Sequence, residues 1–134
     1  MIFDFSITYK AHPKNGELRM THDEVVGLFD TWNAALATLD PDSVTALYAD
    51  DAVLLPTVSN QVRHNHEEIR DYFVSFLQKK PQGVIDESNV SVLSETHATN
   101  SGVYTFTFGD GSSVTARFSY CLLYTSDAAD DPTC

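Results

Sequence analysis

The chain has 134 residues, 43% hydrophobic and 11% aromatic, which suffices for one hydrophobic core and is too short for two. A formal net charge of -11, from 8 Lys and Arg against 19 Asp and Glu, argues against nucleic acid and anionic membrane surfaces as partners, because no basic stripe is there to hold either. No apolar run approaches the roughly 18 residues of a membrane span, and MIFDFSITYK carries Asp4 within its apolar stretch and has no basic start, so the expected location is cytoplasmic.

Residues 1–20 read as a poorly patterned lead, with a turn at His12-Pro13-Lys14-Asn15-Gly16. Thr21 and Glu24 form a capping box, and Val25, Leu28, Phe29, Trp32, Leu36 and Leu39 recur at helical spacing, predicting a first helix over 21–39. Asp40 followed by Pro41 starts a short second helix over 41–48. Asp50 and Asp51 suit a turn, and the apolar stretch 52–56 suits a short buried strand. Asn65 with Glu68 caps a third helix over 66–78, whose stripe is Ile69, Tyr72, Phe73, Phe76 and Leu77; Pro81 and Gly83 end it. Residues 84–93 read as a strand, and 98–108 with 113–120 as a long hairpin turning at Gly109-Asp110-Gly111. The order predicts an α+β fold, three helices packed on a curved, mostly antiparallel sheet that closes into a cone with a pocket.

Three segments, ALYADDAVLLPTVSNQVR (46–63), EEIRDYFVSFL (67–77) and NSGVYTFTFGDGSSVTARFSY (100–120), resemble the nuclear-transport-factor-two-like superfamily. Within it they are most similar to bacterial stand-alone relatives of the calcium/calmodulin-dependent protein kinase II association domain. The resemblance implies a cone-shaped, self-associating domain over 21–120. It leaves activity open, because the fold hosts enzymes and assembly modules alike. In the family a further strand with a Trp and a His-His-Ser-like end follows the position of Tyr120. Residues 121–134, CLLYTSDAADDPTC, match nothing of the kind and resemble a translated sequencing adapter, so the natural sequence is expected to depart near Tyr120. Both cysteines, Cys121 and Cys134, lie in that stretch and are expected not to pair.

If the hairpin turns on Asp110-Gly111, Tyr104 faces Arg117 and Phe106 faces Thr115, and Tyr104, Phe106, Phe108, Thr115, Arg117 and Ser119 share a face. An inward Arg117 would offer a planar fork to a carboxylate; the other placement is an Arg lying over Tyr104 on an exposed or dimer-contacting face. Arg63 is a second candidate anion contact, or a surface loop cation, and His64 a candidate base at the cone mouth. Arg70 is expected to pair with Glu67. Trp32, Tyr48 and Tyr72 are placed either along the cavity or in the core. Asp30, Asp50 and Asp51 fit solvated or turn positions better than a catalytic base, so no residue is assigned a catalytic role. His64-Asn65-His66 lacks the spacing and further ligands of a zinc site, and no Gly-rich dinucleotide loop is present, so neither metal nor cofactor is expected. The expected function is self-association, as a homodimer or larger homo-oligomer, with a pocket for a small anionic or aromatic molecule. A SnoaL-like isomerase, cyclase or hydrolase and a protein-protein assembly module are the alternatives.

Overall fold

A computed structural model describes residues 2–10, 21–56 and 59–125. Within these, helices α1 (His22–Ala37), α2 (Pro41–Thr45) and α3 (His66–Phe76) accompany strands β1 (Ile2–Lys10), β2 (Gln82–Val92), β3 (His97–Thr107) and β4 (Ser113–Thr125). The sheet order is β1-β4-β3-β2. β2, β3 and β4 are antiparallel neighbours, while β1 lies parallel to β4. The fold is therefore α+β with a mostly antiparallel sheet, as the element order predicts.

Each helix starts where its cap dictates. Thr21 Oγ1 accepts from Glu24 N at 3.2 Å, Asp40 Oδ1 from Asp42 N at 3.0 Å, and Asn65 Oδ1 from Glu68 N at 2.9 Å, so three helical N-termini have a donor satisfied by side chain. α2 is shorter than expected, and α3 tightens into a 3-10 turn over Leu77–Lys79 that Lys80 ends in the left-handed region, at φ 51. α1 lies against β2 and β3, where the Asn33 side chain imitates a strand neighbour: its Nδ2 donates to Gly83 O and its Oδ1 accepts from Gly83 N, both at 2.9 Å. The core between helices and sheet is largely aromatic. Trp32, Tyr48, Phe73, Tyr104, Phe106 and Tyr120 are all at most 2% exposed. Trp32 and Phe106 meet edge-on at 5.8 Å, as do Phe76 and Phe106 at 5.6 Å, while Tyr104 and Tyr120 stack on Phe118 at 5.0 and 5.1 Å.

Several expectations change. The lead contains a strand, because 2–10 pairs along the far edge of β4; the His12–Gly16 turn lies outside the described residues. The strand expected over 52–56 is reduced to isolated bridging at Leu54 and Leu55, with Leu54 paired antiparallel to Arg63. β4 runs past Tyr120 to Thr125, since Leu122 and Leu123 are buried and continue the ladder with Ala98 and His97, as the apolar residues directly after Tyr120 allow. Cys121 is disulfide-bonded, against the expectation that it stays unpaired, while positions 126–134 lie outside the described residues.

The largest change for function is the hairpin register. The connection is longer than a two-residue turn: Phe108 N donates to Ser112 O at 2.8 Å, and Gly111 at φ 88 carries the bend. The register therefore shifts by one residue, and Tyr104 faces Ala116, Phe106 faces Val114, and Val103 faces Arg117. A slip of one residue moves a strand's whole side-chain set to the other face. Ala116, Phe118 and Tyr120 accordingly point to the helices and are buried, whereas Thr115 and Arg117 are exposed on the opposite face.

Candidate functional site: a buried arginine beside the third helix

Arg63 owes its position to the bridge with Leu54, which Leu54 N and Arg63 N close by donating to each other's carbonyls at 2.9 and 3.0 Å. The bridge holds Arg63 two residues ahead of the α3 cap and turns its side chain along the helix. There Nη1 donates to Glu68 O at 3.2 Å and to Asp71 Oδ2 at 3.0 Å, and Cζ lies 5.7 Å from the Tyr72 ring centroid. The Arg63 side chain is 11% exposed and that of Asp71 78%, so the cation is buried and its counter-ion is wet. Arg63 Nε is buried with no acceptor, an open donor that carries a desolvation cost of roughly 1–3 kcal/mol.

A recess of about 160 Å³ adjoins this arginine, lined by Ser59, Arg63, Tyr72, Ser75, Phe76 and Lys79. Tyr72, Ser75, Phe76 and Lys79 stand at i, i+3, i+4 and i+7, so one stripe of the α3 end supplies most of the wall. The Tyr72 and Phe76 rings stack at 5.4 Å and give the wall its apolar floor. Burial pushes the Tyr72 hydroxyl well above its ordinary titration range, with the Arg63 charge acting in the other direction, so it is a neutral hydrogen-bonding group at physiological pH. Two cations, two serine hydroxyls, a phenol and a stacked aromatic floor make a site for a small anion with an apolar body.

The structure separates the candidate residues into three groups. Trp32, Tyr48, Tyr104 and Phe106 come together, but in the packed core: Trp32 Nε1 donates to the Tyr48 hydroxyl at 3.2 Å, and Tyr104 and Phe106 meet at 4.6 Å. Arg63 stands at the recess. Arg117 lies exposed on the far side of the sheet, so the reading of it as an inward arginine sharing a face with Tyr104 and Phe106 is corrected by the register. His64 is exposed, its backbone N donating to Glu68 Oε1 at 2.9 Å and its Nδ1 lying 3.0 Å from the same oxygen. Those two bonds, the side-chain one first, hold the Glu68 carboxyl below its ordinary range. His66 Nε2 approaches Tyr48 O at 2.8 Å and Ala49 O at 3.1 Å, pinning the start of α3 to the end of α2. Arg70 pairs with Asp42 at 2.6 Å instead of Glu67, because α2 packs against α3 at that height. Ser75 and Lys79 were not singled out from sequence, although their helical spacing from Tyr72 was the available signal. Among the described residues, no group of three or more His, Cys, Asp or Glu side chains is arranged to hold a metal.

Helices packed on one face of a mostly antiparallel sheet give the nuclear-transport-factor-two-like fold. A nuclear-transport-factor-two-like protein from Shewanella oneidensis matches this fold with a TM-score of 0.54 at 16% identity, covering 75% of this chain and 99% of that one. The family model of the calcium/calmodulin dependent protein kinase II association domain matches residues 21–125, and the chain belongs to that family. A protein from Xanthomonas campestris assigned to the same association domain is 40% identical, with a TM-score of 0.69, covering 85% of this chain and 93% of that chain. The association domain of the Caenorhabditis elegans kinase (C. elegans CaMKII) is 16% identical, with a TM-score of 0.54, covering 77% of this chain and 94% of that chain. No curated protein sequence matches. The family match extends five residues beyond the boundary expected at Tyr120, to the end of β4.

Proposed function

We propose that this domain self-associates and holds a small organic anion, most simply a carboxylate, on Arg63. The observation that carries the ligand reading is the buried guanidinium whose Nε has no acceptor, next to a recess lined by Tyr72 and Lys79. Asp71 alone leaves the fork incompletely used, because it is engaged through Nη1 only. Self-association rests on family membership, since the matching family model and the Xanthomonas campestris and Caenorhabditis elegans relatives are association domains.

Isothermal titration of a panel of small carboxylates, aliphatic and aromatic, tests the ligand reading. Binding that is lost in Arg63→Met supports it, and a panel without any binder overturns it. The enzyme reading has less support at the recess: its lining, Ser59, Arg63, Tyr72, Ser75, Phe76 and Lys79, includes no carboxylate and no imidazole.

A further inference from the structure

Lys79 borders two cavities. One is the Arg63 recess; the other, about 540 Å³, lies at the hairpin tip and is lined by Lys79, Lys80, Phe108, Asp110 and Ser112 among others. An aromatic wall runs between them. Arg63 Cζ is 5.7 Å from the Tyr72 centroid, Tyr72 stacks on Phe76 at 5.4 Å, Phe76 meets Phe108 edge-on at 6.1 Å, and Lys79 Nζ lies 5.7 Å from the Phe108 centroid. The wall thus has a guanidinium at one end and an ammonium at the other.

The far end is tied down by backbone. Gly109 N donates to Lys79 O at 2.8 Å, so the hairpin tip is docked on the end of the helix. A Cβ at Gly109 would come within 3.1 Å of Lys80 Cδ, so the glycine permits this approach. Asp110 is the opposing charge in this cavity. Its Oδ1 accepts from Ser112 N at 2.9 Å and from Ser112 Oγ, so one oxygen is committed to its own turn. Those bonds, the side-chain one first, hold the carboxyl below its ordinary range, and the Lys79 charge helps. Neither Lys79 nor Lys80 takes part in an ion pair among the described residues. A ligand with one anionic group would leave two lysines at this end facing the single carboxylate of Asp110.

We propose that the ligand is a dianion, with one carboxylate on Arg63, a second anionic group on Lys79 and Lys80, and its body along Tyr72, Phe76 and Phe108. This rests on the reading of Arg63 as an anion anchor and adds the class of molecule. The test compares monocarboxylates with α,ω-dicarboxylates of matched length and aromatic content, by titration calorimetry, on the wild type, Lys79→Met and Lys79→Arg. The best dicarboxylate should bind the wild type about tenfold or more tightly than its monocarboxylate counterpart, as one added charge-assisted contact implies. That ratio should fall to near one in Lys79→Met and be largely kept in Lys79→Arg. Monocarboxylates that bind with no advantage for dicarboxylates would overturn the dianion and leave the Arg63 anchor standing. A ratio unchanged in Lys79→Met would overturn the placement of the second group. If no carboxylate binds at all, both readings fall.

Discussion

Arg63 and Arg117 are the two arginines that chemistry nominates for an anion, and the fold gives them opposite environments. Arg63 is held by a bridge, buried against Tyr72 and left with an unused donor, whereas Arg117 faces solvent across from Val103. Arg63→Met should therefore weaken carboxylate binding at least about tenfold, the equivalent of roughly 1.5–3 kcal/mol for a charge-assisted hydrogen bond. Arg117→Leu should leave the affinity unchanged. Because Asp71 is mostly exposed, it can rehydrate when Arg63 is replaced, so circular dichroism of Arg63→Met should still report a folded domain. The Glu68 carboxyl supplies a pH test at the same scale. Its folded value is depressed, by the His64 side-chain hydrogen bond first, so its stabilising contribution is present above the ordinary carboxylate range and is lost as pH falls through the folded value. His64→Ala should flatten the acid limb of a melting-temperature profile, and an identical limb would show that the contact is idle.

At the scale of elements, the bulge in β2 determines how closely two strands approach. The register shifts between Ile85 and Glu87, leaving Asp86 to accept from Thr105 Oγ1 at 2.6 Å. Opposite, a Cβ on Gly102 would fall 1.9 Å from Glu87 O, a backbone atom that cannot swing aside. Gly102→Ala should destabilise the domain by about 1–3 kcal/mol or more through displacement of the bulge, in line with overpacking costs. Urea denaturation measures this directly. The cap of α3 gives a milder comparison: Asn65→Ala removes the acceptor for Glu68 N and should cost about 1 kcal/mol. A larger effect of the cap than of the glycine would contradict this account of the sheet.

For the whole molecule, the helices cover one face of the sheet and the aromatic core lies between them. The other face carries Thr105, Thr115 and Arg117, with Val103 half-buried and Val84 at 65% exposed. Phe118 is buried under the helices at 3% exposure, so the open face is less apolar than the hairpin sequence suggests. If that face joins two copies, the contact uses Val103, Thr105 and Thr115 with Arg117, and arginine is among the residues enriched at interfaces. Light scattering should give a multiple of the protomer mass, and Val103→Glu should shift it toward the protomer. A strict monomer would refute self-association. No helix among the described residues is long and apolar enough to cross a membrane.

The helices were legible in the sequence because their signals are local. Thr21, Asp40 and Asn65 satisfy donors two or three residues away, and apolar residues repeating at helical spacing name their own buried face. The α+β class followed from the order of these elements, and the family likeness from the segments around them. What tertiary structure decided was everything that depends on a pairing between distant strands. The hairpin register turned on one residue in the 108–112 connection, and with it Arg117 and Phe118 exchanged sides. The strand character of 2–10 became visible only against the edge of β4. Arg63 looks like a loop cation in sequence; only its bridge to Leu54 and the packing of α3 turn it into a buried charge beside a recess. Local hydrogen bonds are determined by neighbours in the chain, whereas burial of a charge is determined by which distant surfaces meet around it.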